Sequence, residues 1–124
     1  MDKKNRVQIP EKYPTFFVSL SVNEAVEKIR SAVVEGSISG ELLDDYTVST
    51  ENRTMRVLMF EKYFYRVENR LLLTVILDDT AGKTRVHSMA GGGGRNLLFK
   101  FDWFAGGDFT AVPQKALQEY IIDG

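Results

Sequence analysis

Apolar and polar positions along the chain follow two different periods. Between Val22 and Val33 the apolar residues Val22, Ala25, Val26, Ile29, Ala32 and Val33 recur at helical spacing, while Glu24, Glu27, Lys28, Arg30 and Glu35 take the other side. Ser21 with Glu24 three residues on forms a capping box, in which the serine oxygen takes an orphan N–H and the glutamate reaches back to the serine's own N–H. Gly36 is the natural stop. Ahead of this helix, Thr15 to Leu20 reads as a short strand entered through Pro10 and Pro14, since proline is tolerated where a strand begins and not inside it.

From Ser37 to Ala90 the period falls to two, and turn signals divide the stretch into four strands. The first runs from about Ile38 to Val48, with Gly40 and the Leu42-Leu43 pair breaking the alternation as a bulge would. In the second, Met55, Val57 and Met59 share a face before Phe60, Tyr63, Phe64 and Tyr65 put bulk on both sides. The third, Leu71 to Leu77, is apolar at nearly every position, the pattern of a central strand. After the hairpin Asp78-Asp79-Thr80-Ala81-Gly82, the fourth covers Lys83 to Ala90, with Val86, Ser88 and Ala90 opposite Arg85, His87 and Met89.

Gly91 to Gly94 interrupts this order. Beyond it Leu97, Phe99, Phe101 and Trp103 alternate with Leu98, Lys100 and Asp102, an extended pattern. The last element expected is a helix from Asp108 or Thr110 to Ile122, with its regular part starting near Thr110 because Pro113 belongs in a first turn. The expected architecture is α+β: an antiparallel meander, β-α-β-β-β-β-(β)-α, with both helices packed on one face. Residues 1–14 form a polar tail and 15–124 a single domain.

This element order resembles the β-α-β4-α arrangement of the TATA-binding-protein-like and helix-grip (Bet v 1-like) folds across residues 15–122. The run from Ala90 through the four glycines, Arg95 and Asn96 to Trp103 also resembles the tail of a small uncharacterised bacterial family, and that resemblance implies no activity.

Composition narrows the picture mainly by exclusion. The chain has no cysteine, so disulfides, thiolate nucleophiles and cysteine-ligated metals are ruled out, and a cytoplasmic protein is the simplest expectation. Met1 to Tyr13 is polar and the longest apolar run is short, so neither export nor a membrane span is expected. Sixteen Lys plus Arg against seventeen Asp plus Glu leave a formal charge of −1, without the positive field that draws phosphate backbones, so nucleic acid is not an expected partner.

Candidate chemistry is thin. Gly91, Gly92, Gly93 and Gly94, followed by Arg95, could turn backbone N–H groups toward an anion. However, no Gly-Lys-Ser/Thr ending and no helix follow, so a hinge or tight crossover is the plainer reading. His87 is the single histidine and has no recognisable nucleophile elbow around it. Asp44 and Asp45 are adjacent strand residues and so point to opposite faces, and Asp78-Asp79 fits turn chemistry. No histidine–carboxylate set has metal-ligand spacing, and no cofactor is expected. The aromatic set, Phe101 and Trp103 included, fits core packing first and a pocket or dimer surface second.

The leading expectation is a non-enzymatic module. It would hold an apolar small molecule or a partner protein with the concave sheet face, the Gly91 to Phe104 segment and the last helix. A small enzyme using His87 or a carboxylate in the same cleft is the second reading. A structural homodimer joined by strand edges or aromatics is the third.

Overall fold

A computed structural model of the chain describes residues 15–36, 39–64, 69–91 and 106–124. Strand β1 (Thr15–Val18) leads into helix α1 (Val22–Arg30), and a π-helical turn (Ser31–Glu35) extends the helix by five residues. The meander β2 (Glu41–Ser49), β3 (Thr54–Phe64), β4 (Asn69–Asp78) and β5 (Thr84–Gly91) follows. Helix α2 (Gly106–Ala116), a 3-10 turn (Gln118–Tyr120) and the two-residue strand β6 (Ile121–Ile122) complete the chain. The sheet has six strands in the order β2-β3-β4-β5-β1-β6, every pairing antiparallel. The domain is thus α+β with an antiparallel sheet.

Helix α1 begins as its sequence requires. The backbone N–H of Glu24 donates to Ser21 Oγ, and the backbone N–H of Ser21 donates to Glu24 Oε1, closing the capping box. The bond from the Ser21 backbone N–H first, and then that from the Ser21 side chain, hold the Glu24 carboxyl below its ordinary value. At the far end the N–H of Gly36 bonds the Ser31 carbonyl, and a Cβ at Gly36 would lie 2.5 Å from the Ala32 carbonyl oxygen. Glycine is needed there because of close approach to backbone rather than because of its φ.

Register sorts the sheet residues into two faces. Arg56, Leu77, Val86 and Phe16 form one cross-strand row under the helices, Leu58, Val75 and Ser88 the next, and Phe60, Leu73 and Ala90 a third. Leu58, Phe60, Leu71, Leu73, Val75, Leu77 and Val86 are fully buried, and with Val22, Ala25, Val26 and Ile29 of α1 and Phe109 and Leu117 at the C-terminal end they make one core. At about 25 cal/mol per Å² of apolar surface, each fully buried leucine or valine contributes roughly 1.5–3 kcal/mol.

Three expectations need correction. The last helix stops at Ala116 instead of reaching Ile122, because Ile121 and Ile122 pair with Val18 and Phe17 as a strand. Pro113 lies inside α2, not in its first turn. Its ring lacks the N–H that a helix interior needs, and the burial of Pro113, Phe109 and Leu117 offsets that loss. The first meander strand begins at Glu41, with its bulge between Leu42 and Asp44, where the broken alternation had placed it. The extended pattern at 97–103 lies outside the described residues.

Candidate functional site

The second face of the sheet is the unusual surface of the molecule. Across the strands, in register, stand Val48, Met55, Asp78, Arg85, Phe17 and Ile122. The next row is Tyr46, Val57, Ile76, His87 and Thr15, and the one after it Asp44, Met59, Thr74 and Met89. Glu41, Glu61, Leu72 and Gly91 follow, and Tyr63 with Arg70 closes the end. Among the described residues no element covers this face. Tyr46 is 58% exposed, Val48 41%, Met55 36% and Ile122 40%, while Val57, Met59, Leu72, Ile76 and Met89 are half-buried by their neighbours in the sheet alone. An antiparallel sheet with one solvated face normally carries polar residues there. This one carries a continuous apolar field, and three of the chain's four methionines are in it.

Charges on this face sit at its ends and are largely paired. Arg85 holds Asp78 through Nη2 at 3.0 Å and Nε at 3.2 Å, and the Thr80 hydroxyl and backbone N–H also donate to Asp78. Burial pushes the Asp78 carboxyl up, but the bonds from Arg85 and Thr80 outweigh it and hold the group below the ordinary carboxylate value. The same contact raises the Arg85 guanidinium. At the other end Arg70 pairs with Glu61 at 3.1 Å and stacks over the Tyr63 ring. Lys83 and Arg85 both lie over the Phe17 ring, 5.7 Å from its centre.

His87 belongs to this face. Its Nδ1 is 2.6 Å from the Thr15 hydroxyl, the spacing of a base and a nucleophile. A working pair also has a group that orients the imidazole and donors aimed at a developing oxyanion. Around His87 by register stand Ile76, Arg85 and Met89, and Asp78, beside Arg85, is already engaged by Arg85 and Thr80. The arrangement is a cross-strand hydrogen bond in an apolar field. Among the described residues no group of three or more histidine and acidic side chains could hold a metal ion.

Of the glycine-rich candidates, Gly91 is the last residue of β5 and pairs with Leu72. Gly92, Gly93, Gly94, Arg95, Phe101 and Trp103 lie outside the described residues. Asp44 and Asp45 do point to opposite faces: Asp45 binds Arg56 beneath α1, and Asp44 stands on the open face beside Met59. Asp79 accepts from the Thr54 backbone N–H and Gly82 turns with φ 85°, so the Asp78 to Gly82 hairpin is built from its own turn residues. The open apolar face itself was not singled out from sequence. Its signal was present in Met55, Val57 and Met59 alternating with Arg56, Leu58 and Phe60, two apolar faces where one was needed for the core.

No helix among the described residues is long and apolar enough to cross a membrane. The chain belongs to a family of unknown function (DUF6054), whose model matches residues 14–121. No curated protein and no solved structure matches the chain, so the resemblance to the helix-grip and TATA-binding-protein-like folds rests on element order alone.

Proposed function

We propose, for this member of a family of unknown function, a non-enzymatic protein-interaction module that recognises a partner protein through the open face of its sheet. The observation that supports this most is the apolar field running from Tyr46 and Val48 on β2 through Met59 and Ile76 to Met89 and Phe17. It has an apolar centre with ion pairs at its ends, the anatomy of a protein interface. A surface spread over six strands matches the footprint of a protein better than that of an enclosed small molecule. The helix-covered face offers less, because its described side chains from Leu58 to Val86 are already buried against one another. The reading extends to a cytoplasmic protein, supported by the cysteine-free composition.

The test is photo-crosslinking in the host cell. A benzoylphenylalanine in place of Thr74, at the centre of the open face, should give protein adducts, and one in place of Glu27, on the exposed side of α1, should not. Absence of any protein adduct from position 74 would remove the proposal.

A further inference from the structure

We infer that the partner protein held by the open face presents lysine or arginine side chains to its β2 margin, where Glu41 and Asp44 receive them beside the exposed Tyr46 and Val48. The inference rests on the interaction-module reading and names the chemistry of its partner.

Three observations carry it. The first is the bulge. Residues three apart on a regular strand point to opposite faces. Glu41 and Asp44 would be separated in that way, but the extra residue at Leu43 shifts the register, so that Glu41 stands across from Glu61 and Asp44 across from Met59. Glu61 and Met59 share the open face, and the bulge thus brings both carboxylates to it in adjoining rows. Asp45, the next residue, goes to the other face and to Arg56.

The second is the balance of charge. Among the described residues no cation pairs with Glu41 or Asp44, and Asp44 accepts only the backbone N–H of Asp45, at 3.0 Å. The arginines around them are engaged: Arg70 by Glu61, Arg85 by Asp78, and Arg30, which shares a groove with Glu41, by Glu27. Lys83, near β1 on the far side of the sheet, donates to the Asp123 carbonyl. The stretch 37–52 that forms this margin contains Glu41, Asp44, Asp45 and Glu51 and neither lysine nor arginine. The charge left uncompensated beside Tyr46 and Val48 is therefore negative, and a partner of matching chemistry brings positive charge to it.

The third is a local cost. Glu41 and Glu61 stand directly opposite one another, where Cβ atoms are about 4.5–5.5 Å apart and like charges weaken the pairing. Arg70 neutralises one of the two. Protection of an edge strand from self-pairing does not account for this arrangement, because a lysine at position 41 would guard the edge equally and pair with Glu61. A cation supplied by the partner relieves the repulsion that the free chain carries.

Neutral variants test the inference, because a neutral partner gains when two carboxylates no longer have to be desolvated and a cationic partner loses by it. With benzoylphenylalanine at position 74 in the host cell, Glu41→Gln combined with Asp44→Asn should reduce the yield of protein adducts at least about tenfold. Glu41→Lys should reduce it as much or more. Glu27→Gln, the same loss of charge on the exposed side of α1, should leave the yield unchanged. The purified Glu41→Gln chain should unfold at a temperature equal to or above that of the wild type, which separates lost binding from lost fold. A yield from the neutralised chain that equals or exceeds the wild-type yield overturns the inference, and so does an equal fall with Glu27→Gln. A lowered unfolding temperature for Glu41→Gln also overturns it, because the acid pair would then serve the fold. Each of these outcomes leaves the interaction module standing; no protein adduct from position 74 in any chain removes the module as well.

Discussion

Asp44 and Asp45, neighbours in sequence, serve opposite faces of the sheet. Asp45 takes a two-pronged contact from Arg56 at 2.6 and 2.8 Å beneath helix α1, and Asp44 stands on the open face across from Met59. One side of the sheet is fastened to its helix and the other faces outward.

The fastening predicts a stability effect. Arg56 also donates to Asn23 Oδ1 at 2.8 Å, so one guanidinium joins β3, β2 and the first turns of α1. Its side chain is 14% exposed and that of Asp45 33%, so removing the carboxylate leaves a largely buried cation short of a partner. Asp45→Ala should lower the unfolding free energy by about 1–3 kcal/mol. A denaturant-based double-mutant cycle with Arg56→Met should show positive coupling, and additive losses would contradict the contact's role.

The two faces should differ in what they lose to truncation. Leu73→Ala removes a fully buried side chain under the helices and should cost about 2–5 kcal/mol. Tyr46→Ala on the open face should change the stability of the monomer by about 0.5 kcal/mol or less. Equilibrium unfolding of both variants checks the contrast.

Gly36→Ala should destabilise the end of the first helix. The added Cβ meets the Ala32 carbonyl oxygen, which is backbone and cannot swing aside. A loss of about 1–3 kcal/mol is expected, of the size seen when atoms are forced into filled space. Thermal unfolding followed by circular dichroism reads it directly, and an unchanged midpoint would mean that the π turn relaxes freely.

Acid should weaken the fold through Asp78. Its folded-state value lies below the ordinary 3.8, so its contribution is complete above that value and is lost as pH falls through the lowered one. Asp78→Asn should flatten the decline of stability below about pH 4 relative to wild type, with little difference in slope near neutrality. Urea unfolding at several pH values measures it.

Much of the fold was legible because local signals agreed with tertiary ones. The Ser21–Glu24 cap, the stripe from Val22 to Val33 and the Asp78 to Gly82 turn each depend on residues close in sequence, and each formed where expected. Ile121 and Ile122 were misread because their spacing continues a helical stripe, while their strand pairing depends on β1, a hundred residues earlier. The candidate site was hidden for a related reason. Alternation reports that a strand has two faces but not which face the helices cover, so Met55, Val57 and Met59 could not be told from core residues until Leu58 and Phe60 were seen beneath α1 and α2. Similarly, Leu71 to Leu77 is central as its pattern suggested, but only one of its two apolar faces lies in the core.

The methionines give the most direct test of the open face. Met55, Met59 and Met89 lie on it, so methyl-labelled methionine gives three reporters of this face in one spectrum. On addition of the protein that crosslinks from position 74, the account predicts that the Met55, Met59 and Met89 methyl signals of the full chain shift together. Signals that stay fixed while that protein binds would place the contact elsewhere and contradict the assignment of this face.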